Sequence, residues 1–131
     1  MFKLSKKVEY ALIAISHINS SDTEHPIPVS KISDKYNIPN ELLAKILQTL
    51  SKYGILDSIK GPKGGYKIKS KFEDLSLVDF IEILEGRFGI TDCMIDTECN
   101  QIHNCNIINP IDKINSKIYR VFSDIKLNQL T

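Results

Sequence analysis

Residues 40–71 read NELLAKILQTLSKYGILDSIKGPKGGYKIKSK, and this stretch decides the fold. In its first part, four apolar residues recur at helical spacing and should form one buried stripe: Leu43, Ile46, Leu47 and Leu50. This pattern predicts an amphipathic helix. Asn40 is its predicted N-cap, and Gly54 is predicted to end it.

A glycine- and proline-rich turn, KGPKGG at 60–65, follows between two short strand-like runs at 55–59 and 66–70. The pattern predicts a β-hairpin, since glycine supplies positive φ and Pro62 fixes a corner. The hairpin is strongly basic and carries Lys60, Lys63, Lys67, Lys69 and Lys71. Basic hairpins of this kind contact DNA backbone phosphates or the minor groove.

A shorter helix is predicted upstream over 30–36, with a tight break at Asn37-Ile38-Pro39. Two helices joined by a short turn form a helix-turn-helix, and the second presents Lys45, Gln48, Thr49 and Lys52 outward. The predicted fold class is therefore mainly α with a small β-hairpin wing. It is a winged helix-turn-helix followed by a long C-terminal dimerisation helix.

Helices are also predicted on both sides of this unit. The first, over 5–20, has an apolar stripe of Val8, Ala11, Leu12, Ile15 and Ile18. Another opens at Ser76, with Asp79 as its capping partner, and ends near Gly86. We expect a DNA-binding domain over 1–72 and a sensor and dimerisation region over 73–131.

The last helix is predicted to begin with Asn109 as N-cap and Pro110 at the first helical position. Its apolar residues follow at alternating spacings of three and four: Ile111, Ile114, Ile118, Val121 and Ile125. This spacing is typical of a coiled-coil seam and predicts a homodimer. The alternative is a helix that packs only on its own domain.

Charge is distributed unevenly along the chain. Residues 1–71 have a net charge of +6, whereas residues 72–131 have a net charge of −5. A basic half favours a polyanionic partner such as double-stranded DNA, although an uneven solvated surface would give the same totals. There is no long apolar run and no signal-type cleavage site, so we expect no membrane span and a cytoplasmic protein.

The three cysteines, Cys93, Cys99 and Cys105, lie in one segment with five residues between neighbours. Thiolates are soft ligands for zinc, copper(I) and iron–sulfur clusters. Structural zinc prefers closer pairs, so the spacing favours an iron–sulfur cluster with a fourth position open to another ligand. His103 is one candidate for that position. Thiol oxidation without a cluster is the simpler alternative.

These features leave three hypotheses: a DNA-binding regulator with a cluster-based sensor, an iron–sulfur carrier, and a regulator whose signal arrives through a protein partner. An enzyme is not expected, because the chain has no nucleophile–base pair. The glycines at 61–65 lie in a hairpin rather than at a helix start, so they do not form a nucleotide-binding loop.

The assembled motifs resemble the Rrf-two family of bacterial winged-helix regulators over nearly the whole chain. LSKKVEYA at 4–11 is similar to the family's opening helix, GPKGGY at 61–66 to its wing, and the three cysteines to the ligands of its iron–sulfur branch. The resemblance implies a homodimer with the last helix exchanged across the twofold axis. It also implies a palindromic operator and a 2Fe–2S or 4Fe–4S cluster that controls DNA affinity.

Carried over by position, Glu41, Ala44 and Lys45 lie on the recognition helix and Lys60 at the base of the wing. Together with the outward or basic residues of the same elements, the predicted DNA-binding set is Asn40, Glu41, Ala44, Lys45, Gln48, Lys60, Lys63 and Lys67. Ala44 stands where the branch that regulates cluster biogenesis has a glutamate. That operator code therefore does not transfer.

The resemblance also bears on the fourth cluster ligand. The cluster-biogenesis branch has a histidine at the position of Ile108 in this chain. The nitric-oxide-sensing branch uses an acidic residue of the partner's first helix, which corresponds to Glu9. Glu9 is therefore the first choice for the fourth ligand, and His103 the second.

Overall fold

The structure is a computed structural model, and it describes residues 3–21, 24–69, 74–91 and 104–130. In chain order the elements are α1 (Lys6–Ser20), α2 (Val29–Tyr36), α3 (Asn40–Lys52), β1 (Leu56–Ile59), β2 (Gly65–Ile68), α4 (Leu77–Glu85), α5 (Ile108–Asp124) and a 3₁₀ turn (Leu127–Gln129). Over these residues the architecture is mainly helical with one small hairpin, which confirms the predicted fold class.

The helix-turn-helix consists of α2 and α3. Asn37 ends α2 in the left-handed conformation, with φ 54°, and the amide of the buried Ile38 donates to the Ser33 carbonyl at 3.0 Å. The N-cap prediction for Asn40 is wrong by one residue, because Pro39 occupies that position and Asn40 is already helical. The Asn40 side-chain oxygen instead accepts a hydrogen bond from the Ser33 hydroxyl at 3.2 Å, which joins the two helices.

The hairpin is antiparallel, with Leu56 opposite Ile68 and Ile59 opposite Gly65. Its tip is a turn in which the Gly64 amide donates to the Gly61 carbonyl at 2.9 Å. Ile27 forms a single bridge to the outer side of β2, which the sequence pattern did not predict. The bridge fixes the hairpin to the loop that precedes α2.

One hydrophobic core joins elements on both sides of the predicted 72/73 boundary. Its fully buried side chains include Ile15, Leu43, Leu47, Leu56, Phe80 and Leu127. Leu127 comes from the C-terminal 3₁₀ turn, and its amide donates to the Leu75 carbonyl at 2.8 Å. The chain beyond α5 is therefore anchored beside the start of α4.

Helix α5 packs on its own subunit along one side only. Phe122 and Tyr119 make edge-to-face contacts with Phe88, at ring-centroid distances of 5.6 and 5.9 Å. No residue of α5 is buried, and Ile114 and Val121 are 46% and 57% exposed.

The ends of α5 differ from the prediction. The helix begins at Ile108, so Asn109 and Pro110 lie inside its first turn and the predicted N-cap is wrong. Ile125, the last residue of the predicted seam, is the C-cap and not part of the helix. Within the described ranges, no helix is both long and apolar enough to cross a membrane.

Candidate nucleic-acid interface

The outward face of α3 is polar and opposite its buried stripe. Glu41, Lys45 and Gln48 are exposed, and Ala44 is half-buried at the edge of this face. Asn40 is exposed at the start of the helix, and its bond to Ser33 fixes its side chain. The predicted recognition-helix residues therefore lie on one accessible surface, which has the size and polarity of a helix that enters the major groove.

The hairpin places its lysines in two different environments. Lys60 and Lys63 are exposed at the turn, and Lys67 is half-buried on β2. Lys69, in contrast, is paired with Asp57 at 3.2 Å across the hairpin. The charges left for a polyanion are therefore concentrated at the tip and along β2.

An open groove of about 570 Å³ runs along one flank of α3, beside the start of α1. Lys45 and Lys52 of α3 line it together with Lys7 of α1. Lys7 was not among the predicted interface residues. The sequence did contain a signal, because Lys7 falls on the same helical stripe as the buried Ala11 and Ala14, where a lysine is unusual.

The first turn of α1 also holds the candidate fourth cluster ligand. The Glu9 carboxylate is 3.0 Å from the Lys6 ammonium, and its side chain is 44% exposed. The hydrogen bond and the negative charge of Glu9 raise the pKa of Lys6. Ser5 immediately precedes Lys6. Its hydroxyl caps α1 and donates a hydrogen bond to the Glu85 carboxylate at the end of α4, at 2.6 Å.

Of the predicted cluster ligands in the cysteine segment, only Cys105 lies within the described residues, where it is a half-buried free thiol. Cys93, Cys99 and His103 lie outside them. The described chain on either side of the segment is tied together, since the Ile90 amide donates to the Asn115 side-chain oxygen of α5 at 3.1 Å. Across the ranges that the structure describes, no three candidate metal ligands come together.

A helix-turn-helix followed by a basic hairpin, with an exposed polar recognition helix, defines a winged-helix DNA-binding protein. The sequence profile of the Rrf2 family, described as an iron-dependent transcriptional regulator, matches residues 4–131. The chain therefore belongs to the Rrf2 family, which confirms the resemblance. It is a DNA-binding transcriptional regulator and not an enzyme.

Similarity to known regulators covers almost the full chain. An HTH-type transcriptional regulator of Aquifex aeolicus is 26% identical over 129 residues, which are 96% of this chain and 89% of the relative. The HTH-type transcriptional regulator IscR of Vibrio atlanticus is 26% identical over 128 residues, covering 98% of this chain and 74% of the relative. The solved structure of CymR, the global cysteine regulator of B. subtilis, superposes with a TM-score of 0.75 at 23% identity, over 99% of this chain and 96% of that one. At that identity, the superposition supports the fold alone.

Proposed function

We propose that the protein is a homodimeric regulator that binds a palindromic operator and whose DNA affinity is set by a 2Fe–2S or 4Fe–4S cluster held by Cys93, Cys99 and Cys105. The observation that carries this proposal is the presence of three cysteines within residues 93–105 of a chain whose family is described as iron-dependent. A family of regulators also favours this function over that of an iron–sulfur carrier.

The chemistry of the donor set fits such a group. Cysteine thiolates are the usual protein ligands of iron–sulfur clusters, and three of them leave one position for a different ligand. Cys105 has no disulfide partner among the described residues. The Ile90–Asn115 hydrogen bond links the chain before the segment to the helix after it, which would limit the spread of the three thiols. When bound, the cluster would supply a redox-reactive centre.

Glu9 remains our first choice for the fourth ligand, contributed by the second copy of the chain, and His103 the second. The Glu9 carboxylate is partly exposed and its described ion pair is with Lys6. An exposed ion pair of this kind contributes little to stability, because water and salt screen it. Glu9 could therefore leave Lys6 and bind a metal ion at little cost in free energy.

The dimer is supported by the uncovered flank of α5. Ile107, Ile114 and Val121 are spaced by seven residues and are each about half exposed. Such a heptad stripe packs against a copy of itself about a twofold axis. A twofold dimer would place two recognition helices about 34 Å apart, one turn of DNA.

The cluster is tested by anaerobic purification followed by visible absorption, EPR, and iron and sulfide counts. We expect a coloured protein with equal amounts of iron and sulfide, and loss of both in the Cys93→Ser, Cys99→Ser and Cys105→Ser variants. Glu9→Ala should make the cluster labile, whereas His103→Ala should not. A colourless, iron-free protein after anaerobic preparation would refute the cluster.

Thiol oxidation is the second candidate, and the free, half-buried Cys105 favours it. The fold is also shared with a regulator described as the global cysteine regulator of B. subtilis. An iron-free protein whose DNA affinity changed with peroxide and returned with a thiol reductant would establish this alternative.

A further inference from the structure

The groove between α1 and α3 has an unusual charge composition. Three lysines, Lys7, Lys45 and Lys52, line its walls together with polar and apolar side chains, and none of its lining residues is acidic. Like charges repel, so bringing three ammonium groups to one groove costs free energy unless an anion lies between them.

Ion pairs of lysine are few among the described residues. Lys6 is paired with Glu9 and Lys69 with Asp57, both within about 3.2 Å. No carboxylate of the described ranges lies within ion-pair distance of Lys7, Lys45 or Lys52. The positive charge of the groove is therefore not neutralised by this part of the protein.

Lys7 is half-buried, and it lines the groove together with the apolar residues Leu42 and Ile46. A lysine in such a position buries its methylene stem and keeps its ammonium in water. A partly buried stem loses less side-chain entropy when its ammonium binds an anion.

The groove is continuous with the recognition face, because Lys45 and Gln48 belong to both. A helix in the major groove has the sugar–phosphate backbone along its flanks. We propose that a backbone phosphate of the operator occupies the groove, and that Lys7 makes α1 a third DNA-contacting element beside the recognition helix and the wing. The proposal rests on the DNA-binding function of the family and not on the cluster.

The test compares Lys7→Gln with Lys7→Arg and with Lys113→Gln, which removes one charge from an exposed site on α5. The probes are a palindromic duplex selected from a random pool and a random-sequence duplex. Lys7→Gln should weaken binding to both by about three- to tenfold at low salt and reduce the slope of log K against log salt by about one. Lys7→Arg should retain both values, and thermal melting should show all variants folded.

A second arm locates the phosphate. Among single methylphosphonate substitutions in the selected duplex, one position per half-site should weaken binding of the parent clearly more than binding of Lys7→Gln. If Lys7→Gln matched Lys113→Gln in affinity and salt slope, or changed only the sequence preference, the proposal would be wrong. Failure of the cluster proposal would look different. The DNA affinity would then not depend on iron, but Lys7→Gln would still weaken binding.

Discussion

Gly65 lies at a position in the hairpin where a side chain has no free space. Its φ is +153°, and a Cβ there would overlap the carbonyl group of Ile27 and approach the Pro28 nitrogen to 2.7 Å. This close approach permits the two hydrogen bonds between Ile27 and Tyr66 that fix the wing to the loop before α2.

We therefore expect Gly65→Ala to lower the free energy of unfolding by about 2–4 kcal/mol, the sum of backbone strain and a forced displacement of the loop. Gly61→Ala is the matched control, because Gly61 also has positive φ, +111°, but open space around its Cβ. It should cost only about 1 kcal/mol. Urea denaturation measures both, and equal losses would show that the Ile27 contact is unimportant.

His17 links α1 to α2 through its Nδ1, which is 2.9 Å from the Tyr36 hydroxyl. Burial, followed by the positive charges of Lys35 and Lys31, lowers the pKa of His17 below its usual value. The folded state therefore favours the neutral imidazole. Its contribution to stability is present above the unfolded pKa of about 6.5 and is lost as pH falls through the lower folded pKa.

The stability of the protein should accordingly fall between pH 7 and pH 5, and it should fall less in a His17→Asn variant. In Lys35→Gln, removal of one repelling charge should raise the pKa of His17. NMR titration of the imidazole measures the pKa, and urea midpoints measure the stability. An unchanged pKa in Lys35→Gln would contradict the electrostatic part of this explanation.

At the scale of the element, α5 has one packed flank and one flank that the proposed dimer would cover. Phe88, Tyr119 and Phe122 pack along its inner flank, whereas Ile114 and Val121 are about half exposed. Covering this stripe with a second copy of the helix would be favourable, because full burial of an aliphatic side chain contributes about 1.5–3 kcal/mol relative to exposure.

Ile114→Glu should therefore dissociate the proposed dimer, because a carboxylate would have to be buried without a partner. We expect the dissociation constant to rise by roughly a hundredfold or more. Ser116→Glu adds the same charge at an exposed position outside the apolar stripe and should leave the dimer intact. Sedimentation velocity measures both, and a monomeric parent protein would refute the dimer.

The sequence predicted the elements of the fold well because their apolar spacing depends on local geometry alone. It placed the buried stripe of α3 and the cap at Ser76 correctly, and the Ser76 hydroxyl accepts from the Asp79 amide at 3.1 Å. It failed at Asn40 and Asn109, since the first residue of a helix can shift by one or two positions and tertiary contacts decide.

The candidate site was less predictable, because it depends on which elements become neighbours. Periodicity marks Lys7 as lying on the inner side of α1, but it does not say that α3 is the helix beside it. The anchoring of Leu127 beside Leu75 is likewise a long-range contact that no local pattern encodes. Packing in three dimensions supplies both.

At the scale of the whole molecule, the unequal charges of the two halves of the chain do not correspond to separate cores. The basic residues 1–71 and the acidic residues 72–131 share one core through Phe80, Leu84 and Leu127. Helix α4, which precedes the cysteine segment, therefore shares a core with the recognition helix α3. The division of roles over 1–72 and 73–131 remains our proposal.

The most direct test of cluster control is the affinity of one protein preparation for one duplex, measured anaerobically by fluorescence anisotropy with iron bound and after its removal. The probe is the palindromic duplex selected from a random pool. We predict that the two affinities differ by about 5- to 150-fold, the usual range for coupled sites. A variant with serine at Cys93, Cys99 and Cys105 should behave as the iron-free form throughout. Equal affinities of the iron-loaded and iron-free protein would contradict the account.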